Sequence, residues 1–142
     1  MNKKQKVIFI CTGNSCRSQM AEGFLKNIAG EVFDVYSAGS HPSKVHPNAI
    51  TVMKELNIDI SEHTSDNIDC YINMGINIVI TVCDHANQLC PNFPEQIEKL
   101  HWSIEDPFQG WTTNKVDLNN FRITRDKIKK HINQFINNLE KK

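Results

Sequence analysis

The sequence predicts an α/β fold, a four-stranded and mainly parallel sheet with helices on both faces, built as a single domain over residues 1–142. Two short apolar runs, Val7 to Ile10 and Ile76 to Val82, are rich in β-branched side chains and lack the alternation of a half-exposed strand, so both their faces must be covered. Between and after them, apolar residues recur at helical spacing. Strands that alternate with helices join by right-handed crossovers, which makes neighbours parallel and places ligands at the carboxyl ends of the strands. A chain of 142 residues buries about two-thirds of its unfolded surface, enough for one core without covalent staples.

Lys6 to Ile10 reads as the first strand. Met20, Ala21, Phe24, Leu25 and Ile28 then mark a helix that Gly30 stops. Val32 to Ala38 is the second strand, ended by Gly39 and the loop at Pro42. From Pro47, the spacing of Ala49, Ile50, Val52, Met53 and Leu56 gives a second helix, followed by turn-rich sequence to Ser65. Asp66 to Asn73 is expected as a short helix capped by Ser65 or Asp66. Ile76 to Val82 supplies the third strand and Lys99 to Ile104 the fourth. The Phe93-Pro94 region and Phe108 to Asn120 read as loops. Ile123, Ile128, Ile132, Phe135, Ile136 and Leu139 form the stripe of a final amphipathic helix.

Lys and Arg together number 16, as do Asp and Glu, so no bulk charge is available to hold a nucleic acid or an anionic membrane. The longest apolar runs fall far short of a membrane span. The opening MNKKQK leads into a strand-length run rather than a signal-peptide core, so the protein is expected in the cytoplasm, as a monomer. There are five cysteines, at 11, 16, 70, 83 and 90. An odd number in an intracellular chain points to reactive or redox use rather than a disulfide framework.

The densest chemistry lies in Cys11-Thr12-Gly13-Asn14-Ser15-Cys16-Arg17-Ser18, between the first strand and the first helix. A tight loop there converges backbone N–H groups on a helix N-terminus, a site for a tetrahedral dianion. Gly13 is expected to relieve a positive φ or a close approach of the anion, and Asn14 also tolerates the left-handed region. Arg17 closes the cradle with a planar fork suited to two oxygens. The same positive surroundings are expected to make Cys11 an anionic nucleophile. A buried strand-end cysteine and an ordinary surface arginine would account for C-x5-R alone, but not for the whole segment.

Cys83-Asp-His-Ala-Asn-Gln-Leu-Cys90-Pro91 forms a second cluster, with Cys83 just past the third strand. On a helix, residues seven apart lie roughly 10 Å from each other. Bonded cysteines need Cα atoms within about 7 Å, so a disulfide here requires a conformational change. Buried thiols, or a zinc site with His85, are the competing readings, and close C-x2-C spacing is missing. Asp106, held extended by Pro107, is a candidate general acid or base; a plain turn aspartate is the alternative. Cys16 and Cys70 are expected to pack, as are Trp102 and Trp111. The six histidines show no metal spacing and are expected on the surface or at caps.

IFICTGNSCRSQMAEG resembles the signature of the low-molecular-weight tyrosine phosphatase fold, a Rossmann-like architecture, and within it that of the thioredoxin-coupled arsenate reductases. SAGS at 37–40, HPNAI at 46–50, DISEHTSD at 59–66, TVCD with Cys90-Pro91, HW at 101–102, DP at 106–107 and FRITRDKI at 121–128 extend the likeness over essentially the whole chain. The loop is shared by both branches, whereas the Cys83/Cys90 pair marks the reductases. The resemblance implies that arsenate, with phosphate or sulfate as mimics, binds the loop. Cys11 attacks the arsenic, Arg17 holds its oxygens and Asp106 assists loss of one oxygen as water. Cys83 then attacks Cys11 and releases arsenite, and Cys90 attacks Cys83, passing the disulfide outward for thioredoxin. It also implies a potassium ion held by Asn14, Glu22, Ser37 and Asp66, and no organic cofactor. Phe108 departs from the small residue of many reductases, and an aromatic there is a phosphatase habit. A phosphatase using only Cys11, Arg17 and Asp106 through a phosphocysteine is therefore the alternative. A redox-sensing regulator without turnover is a third reading.

Overall fold

The computed structural model describes residues 4–83 and 97–140. Within them strands β1 (Gln5–Cys11), β2 (Phe33–Gly39), β3 (Ile78–Thr81) and β4 (Glu98–His101) form one sheet in the order β2-β1-β3-β4, every neighbouring pair parallel. Helices α1 (Arg17–Ala29), α2 (Pro47–Lys54) and α3 (Lys115–Glu140) complete the α/β fold that the sequence predicts.

β1 explains the non-alternating run at the start of the chain. It is flanked on both sides by other strands, and Val7, Ile8, Phe9 and Ile10 are all fully buried. On one face Phe9 meets Trp102, while Phe33 and Trp102 meet Phe135 of α3. α1 lies on that face too, where Ser37 of β2 reaches Glu22, and both α1 and α2 pack on α3. On the opposite face Tyr36 packs at a tilt against Tyr71, which follows a single 3₁₀ turn, Ile68–Cys70. Arg125 ties α3 to α2 through Glu55 and the carbonyl of Val52, and Arg122 grips the same carboxylate.

The fourth strand, expected over Lys99 to Ile104, ends already at His101, and three further boundaries differ from expectation for a local reason. The Asp66 to Asn73 helix shrinks to the 3₁₀ turn, because Asn67 rather than Ser65 or Asp66 caps it, accepting from the Asp69 N–H at 2.9 Å. β3 starts at Ile78 because Asn77 turns its own side chain onto the Lys6 N–H at 2.8 Å. The Phe108 to Asn120 loop ends early, since Asn114 Oδ1 accepts from the Asp117 N–H at 2.9 Å and starts α3 at Lys115. The isoleucine stripe, which begins at Ile123, carries no sign of this cap.

β1 and β2 end side by side at Cys11 and Gly39. A Cβ on Gly39 would stand 2.5 Å from the Thr12 carbonyl oxygen and 2.9 Å from that of Cys11, both backbone atoms that have nowhere to go. Gly39→Ala is expected to cost roughly 1–3 kcal/mol. The measurement is the urea midpoint at unchanged slope, and an unaltered midpoint would mean that the loop after β1 gives way freely.

Candidate active site

The loop between β1 and α1 is shaped by where its carbonyls go. The Thr12 carbonyl accepts from the His41 N–H at 2.9 Å, Gly13 from the Ser43 N–H at 3.1 Å, and Ser15 from the His46 N–H at 3.0 Å. The Asn14 carbonyl accepts from Gln19 Nε2 at 3.0 Å. With four successive carbonyls drawn outward, planar trans peptides turn the N–H groups of Gly13, Asn14, Ser15 and Cys16 the other way, toward a common centre. At the N-terminus of α1, Cys16 makes no side-chain cap that would compete with an anion for the first helical N–H groups, of which that of Ser18 faces the Cys11 sulfur.

Asn14 carries the strain of the turn, at φ 47°. Its side chain makes that conformation hold: Oδ1 accepts from the Asp66 N–H at 2.9 Å, and Nδ2 donates to Ser18 Oγ at 2.8 Å and Ser37 Oγ at 3.0 Å. Of the two expected uses of Gly13, a positive φ or a close approach of the anion, the positive φ is absent, and a Cβ there would meet no protein atom nearer than Ser15 Oγ at 3.5 Å. The glycine that the loop needs is Gly39.

Cys11 is buried, its sulfur 2.9 Å from Ser18 Oγ. Because Ser18 Oγ already accepts from Asn14, its own proton is free to point at the sulfur. The expected anionic cysteine is nevertheless corrected: burial pushes the Cys11 thiol up and outweighs the pull of Ser18 and of Arg17. The neighbouring positive charge is visible in the sequence, whereas the desolvation arises only in the folded core. Arg17 is held at 2.8 Å by the Ile104 carbonyl through Nη1, and its Nη2 lies 3.4 Å from Asp106 Oδ2. Asp106 is half-exposed, its Oδ1 accepting from the Phe108 N–H at 3.0 Å.

Cys83 emerges just past β3 with its sulfur 3.6 Å from Thr12 Oγ1. It and Cys11 line the same cleft of about 940 Å³, together with Arg17 and Asp106. Cys90 and His85 lie outside the described residues. Cys16 is buried against Ser15 Oγ, with burial pushing its thiol up to about 12, so it packs as expected. Cys70 is exposed rather than packed.

Sequence reasoning missed an aromatic cluster at the cleft mouth. His46, fully buried, stacks on Trp111 at 5.0 Å and 13°, meets Phe108 edge-on, and rests against Phe121. Lys44 sits over Trp111 at 4.6 Å. Residues 46, 108, 111 and 121 are too far apart in the chain for any local pattern to join them. The oxygens expected to hold potassium gather more loosely. Glu22, Ser37 and Asp66 line a hollow of about 250 Å³, with Asn14 behind Ser37 and Lys26 bonded to Glu22. Among the described residues no group of three or more His, Cys, Asp or Glu is arranged to hold a metal.

A family model described as low molecular weight phosphotyrosine protein phosphatase matches residues 6–142. The arsenate reductase of Halalkalibacterium halodurans is 48% identical over 135 residues, covering 95% of this chain and 96% of that protein. An arsenate reductase solved in its oxidized state superposes with a TM-score of 0.79 at 38% identity, covering 94% of this chain and 98% of the other. Another, in the phosphate-binding state, gives 0.75 at 36% identity over the same shares.

Ser18→Ala removes one of the three influences that lower the Cys11 pKa, the hydroxyl, and leaves the Ser18 backbone N–H and Arg17 in place. The alkylation of Cys11, followed by peptide mass spectrometry against pH, is expected to move to higher pH than in the wild type. A profile that stayed in place would show that the hydroxyl does not reach the sulfur.

Proposed function

The chain belongs to the low molecular weight phosphotyrosine protein phosphatase family, and on that premise we propose that it reduces arsenate to arsenite by a relay of cysteine thiols. The observation that carries this reading is the pairing of Cys11, within the anion cradle, with Cys83 on the same cleft. Hydrolysis of a phosphate ester needs only the first of these, and reduction needs a second thiol within reach.

In the first step the arsenate dianion sits on the inward N–H groups of residues 13–16 and on α1, with Arg17 turning from Ile104 and Asp106 onto two of its oxygens. The Cys11 sulfur bonds to arsenic. Since burial keeps Cys11 protonated, its proton passes to the oxyanion, and one oxygen departs as water beside Asp106: thiol and HAsO4 dianion give a thiol-bound AsO3 dianion and water. Arsenic is still pentavalent. Cys83 then attacks the Cys11 sulfur and gives its proton to an arsenic oxygen, the sulfur–arsenic bond breaks with its electron pair going to arsenic, and trivalent arsenite leaves as the HAsO3 dianion while the Cys11–Cys83 disulfide forms. Cys90 attacks Cys83 in turn and regenerates Cys11. The dithiol of thioredoxin reduces the Cys83–Cys90 bond. No organic cofactor takes part.

Potassium belongs to the same reading. Glu22, Ser37 and Asp66 offer the hard oxygens it prefers, and a cation there would displace Lys26 from Glu22 and firm the Ser37 hold on Asn14. No described helix is long and apolar enough to cross a membrane. We assign the protein to the cytoplasm, where thioredoxin keeps thiols reduced, and to a monomeric state. One observation favours a second activity, aryl-phosphate hydrolysis: Phe108 and Trp111 stand as an aromatic wall beside Asp106.

Parallel assays of wild type, Cys83→Ser and Cys90→Ser decide between the two. Both variants are expected to lose thioredoxin-dependent arsenate reduction while keeping whatever aryl-phosphate hydrolysis the wild type shows. Reduction at the wild-type rate in either variant would exclude the relay.

A further inference from the structure

His46 touches both sides of the cleft mouth, the cradle through its backbone and the 106–111 segment through its ring. Its backbone N–H binds the Ser15 carbonyl of the cradle at 3.0 Å. Its ring is used at both ends: Nδ1 accepts from the Asn48 N–H at 3.0 Å, capping α2, and Nε2 lies 2.9 Å from the Gly110 carbonyl. An Nδ1 that accepts from a peptide N–H carries no proton, so the proton sits on Nε2 and is donated to Gly110. The segment 106–111 is fastened from several directions at this point. Trp111 stacks on the imidazole, Phe108 meets it edge-on, and Asn48 Nδ2 donates to the Thr112 carbonyl at 3.0 Å. Gly110 turns at φ 88°, which presents its carbonyl to the ring.

From His46 the contacts lead to the acid. Phe108, edge-on to the imidazole, donates its backbone N–H to Asp106 Oδ1, and Asp106 Oδ2 faces Arg17. An asparagine or serine would cap α2 as well as a histidine does. Neither would span from the helix end to Gly110, nor give Phe108 and Trp111 a ring to pack on.

We propose that His46 is a positioning residue, which sets the Asp106 carboxyl over the departing oxygen by pinning segment 106–111 to the cradle. It rests on the reading above, in which Asp106 serves the loss of water. His46 itself touches neither substrate nor the reacting sulfur.

The test is the single-turnover rate of arsenite formation in His46→Asn, Asp106→Asn and the double variant. Asparagine keeps the helix cap and the backbone bond to Ser15, and removes only the reach to Gly110 and the ring. His46→Asn is expected to slow the step at saturating arsenate by about tenfold or more, as small displacements of a catalytic group do. The half-saturating arsenate concentration should stay within about twofold, because the cradle is untouched. The double variant should be no slower than Asp106→Asn, since a residue that acts through another adds nothing once that one is gone. Gly110→Ala, whose Cβ meets nothing within 4 Å but is strained at φ 88°, disturbs the same pin from the surface and should repeat the pattern. It stands in should His46→Asn fail to fold. Losses that multiply in the double variant, or a raised half-saturation at unchanged rate, overturn the proposal. So does a fast His46→Asn beside a slow Asp106→Asn, which leaves the acid assignment intact. A fast Asp106→Asn removes that assignment and this proposal with it.

Discussion

The outward tethering of four consecutive carbonyls, from Thr12 to Ser15, is the constraint on which the rest of the site depends. A short loop left to itself satisfies its polar groups internally or with water. Here each carbonyl is claimed by a donor from another part of the chain, or by Gln19 of α1, and the amides are left converging on one point. Asn14 is the residue that makes this possible. It accepts a left-handed conformation and fastens it with three side-chain hydrogen bonds, one of which orients Ser18 toward the Cys11 sulfur.

That arrangement sets up an opposition at Cys11. The cradle must exclude water to bind an anion through peptide dipoles, and the same exclusion disfavours a thiolate. Ser18 and Arg17 offset part of the penalty. The rest is resolved in the proposed chemistry by moving the proton onto the incoming dianion, so that sulfur and substrate never face each other as two uncompensated negative charges. Arg17 has a double position in this scheme, on the Ile104 carbonyl and Asp106 within the protein and on the oxyanion during turnover.

What could be read from the residue order was whatever is local or periodic. β1 announces itself through Val7 to Ile10 because a central strand is apolar on both faces, and the cradle through Cys11 to Ser18 because its chemistry is contiguous. The 3₁₀ turn and the start of α3 were misplaced because single asparagines, Asn67 and Asn114, cap them, and a cap leaves no periodic trace. Desolvation of Cys11 was invisible because it sums over neighbours from the whole fold. For the same reason Gly39 shows in the sequence only as a strand end and His46 only as a surface or cap residue, although one clears space for the Thr12 carbonyl and the other joins Ser15 to Gly110.

The donors that hold the loop carbonyls come from positions 19, 41, 43 and 46, and the Asp66 amide holds Asn14. All of these partners except Gln19 are far from the loop in an extended chain. During synthesis, Cys11 leaves the ribosome before the partners at 41, 43, 46 and 66, and it does so as an ordinary thiol on an unshaped segment. The cradle comes into being only when β2 has paired with β1 and the turns leading to Asp66 have docked. Anion capture is thus a property of the nearly finished fold, and a chain stalled partway through folding has a cysteine but no receptor for it.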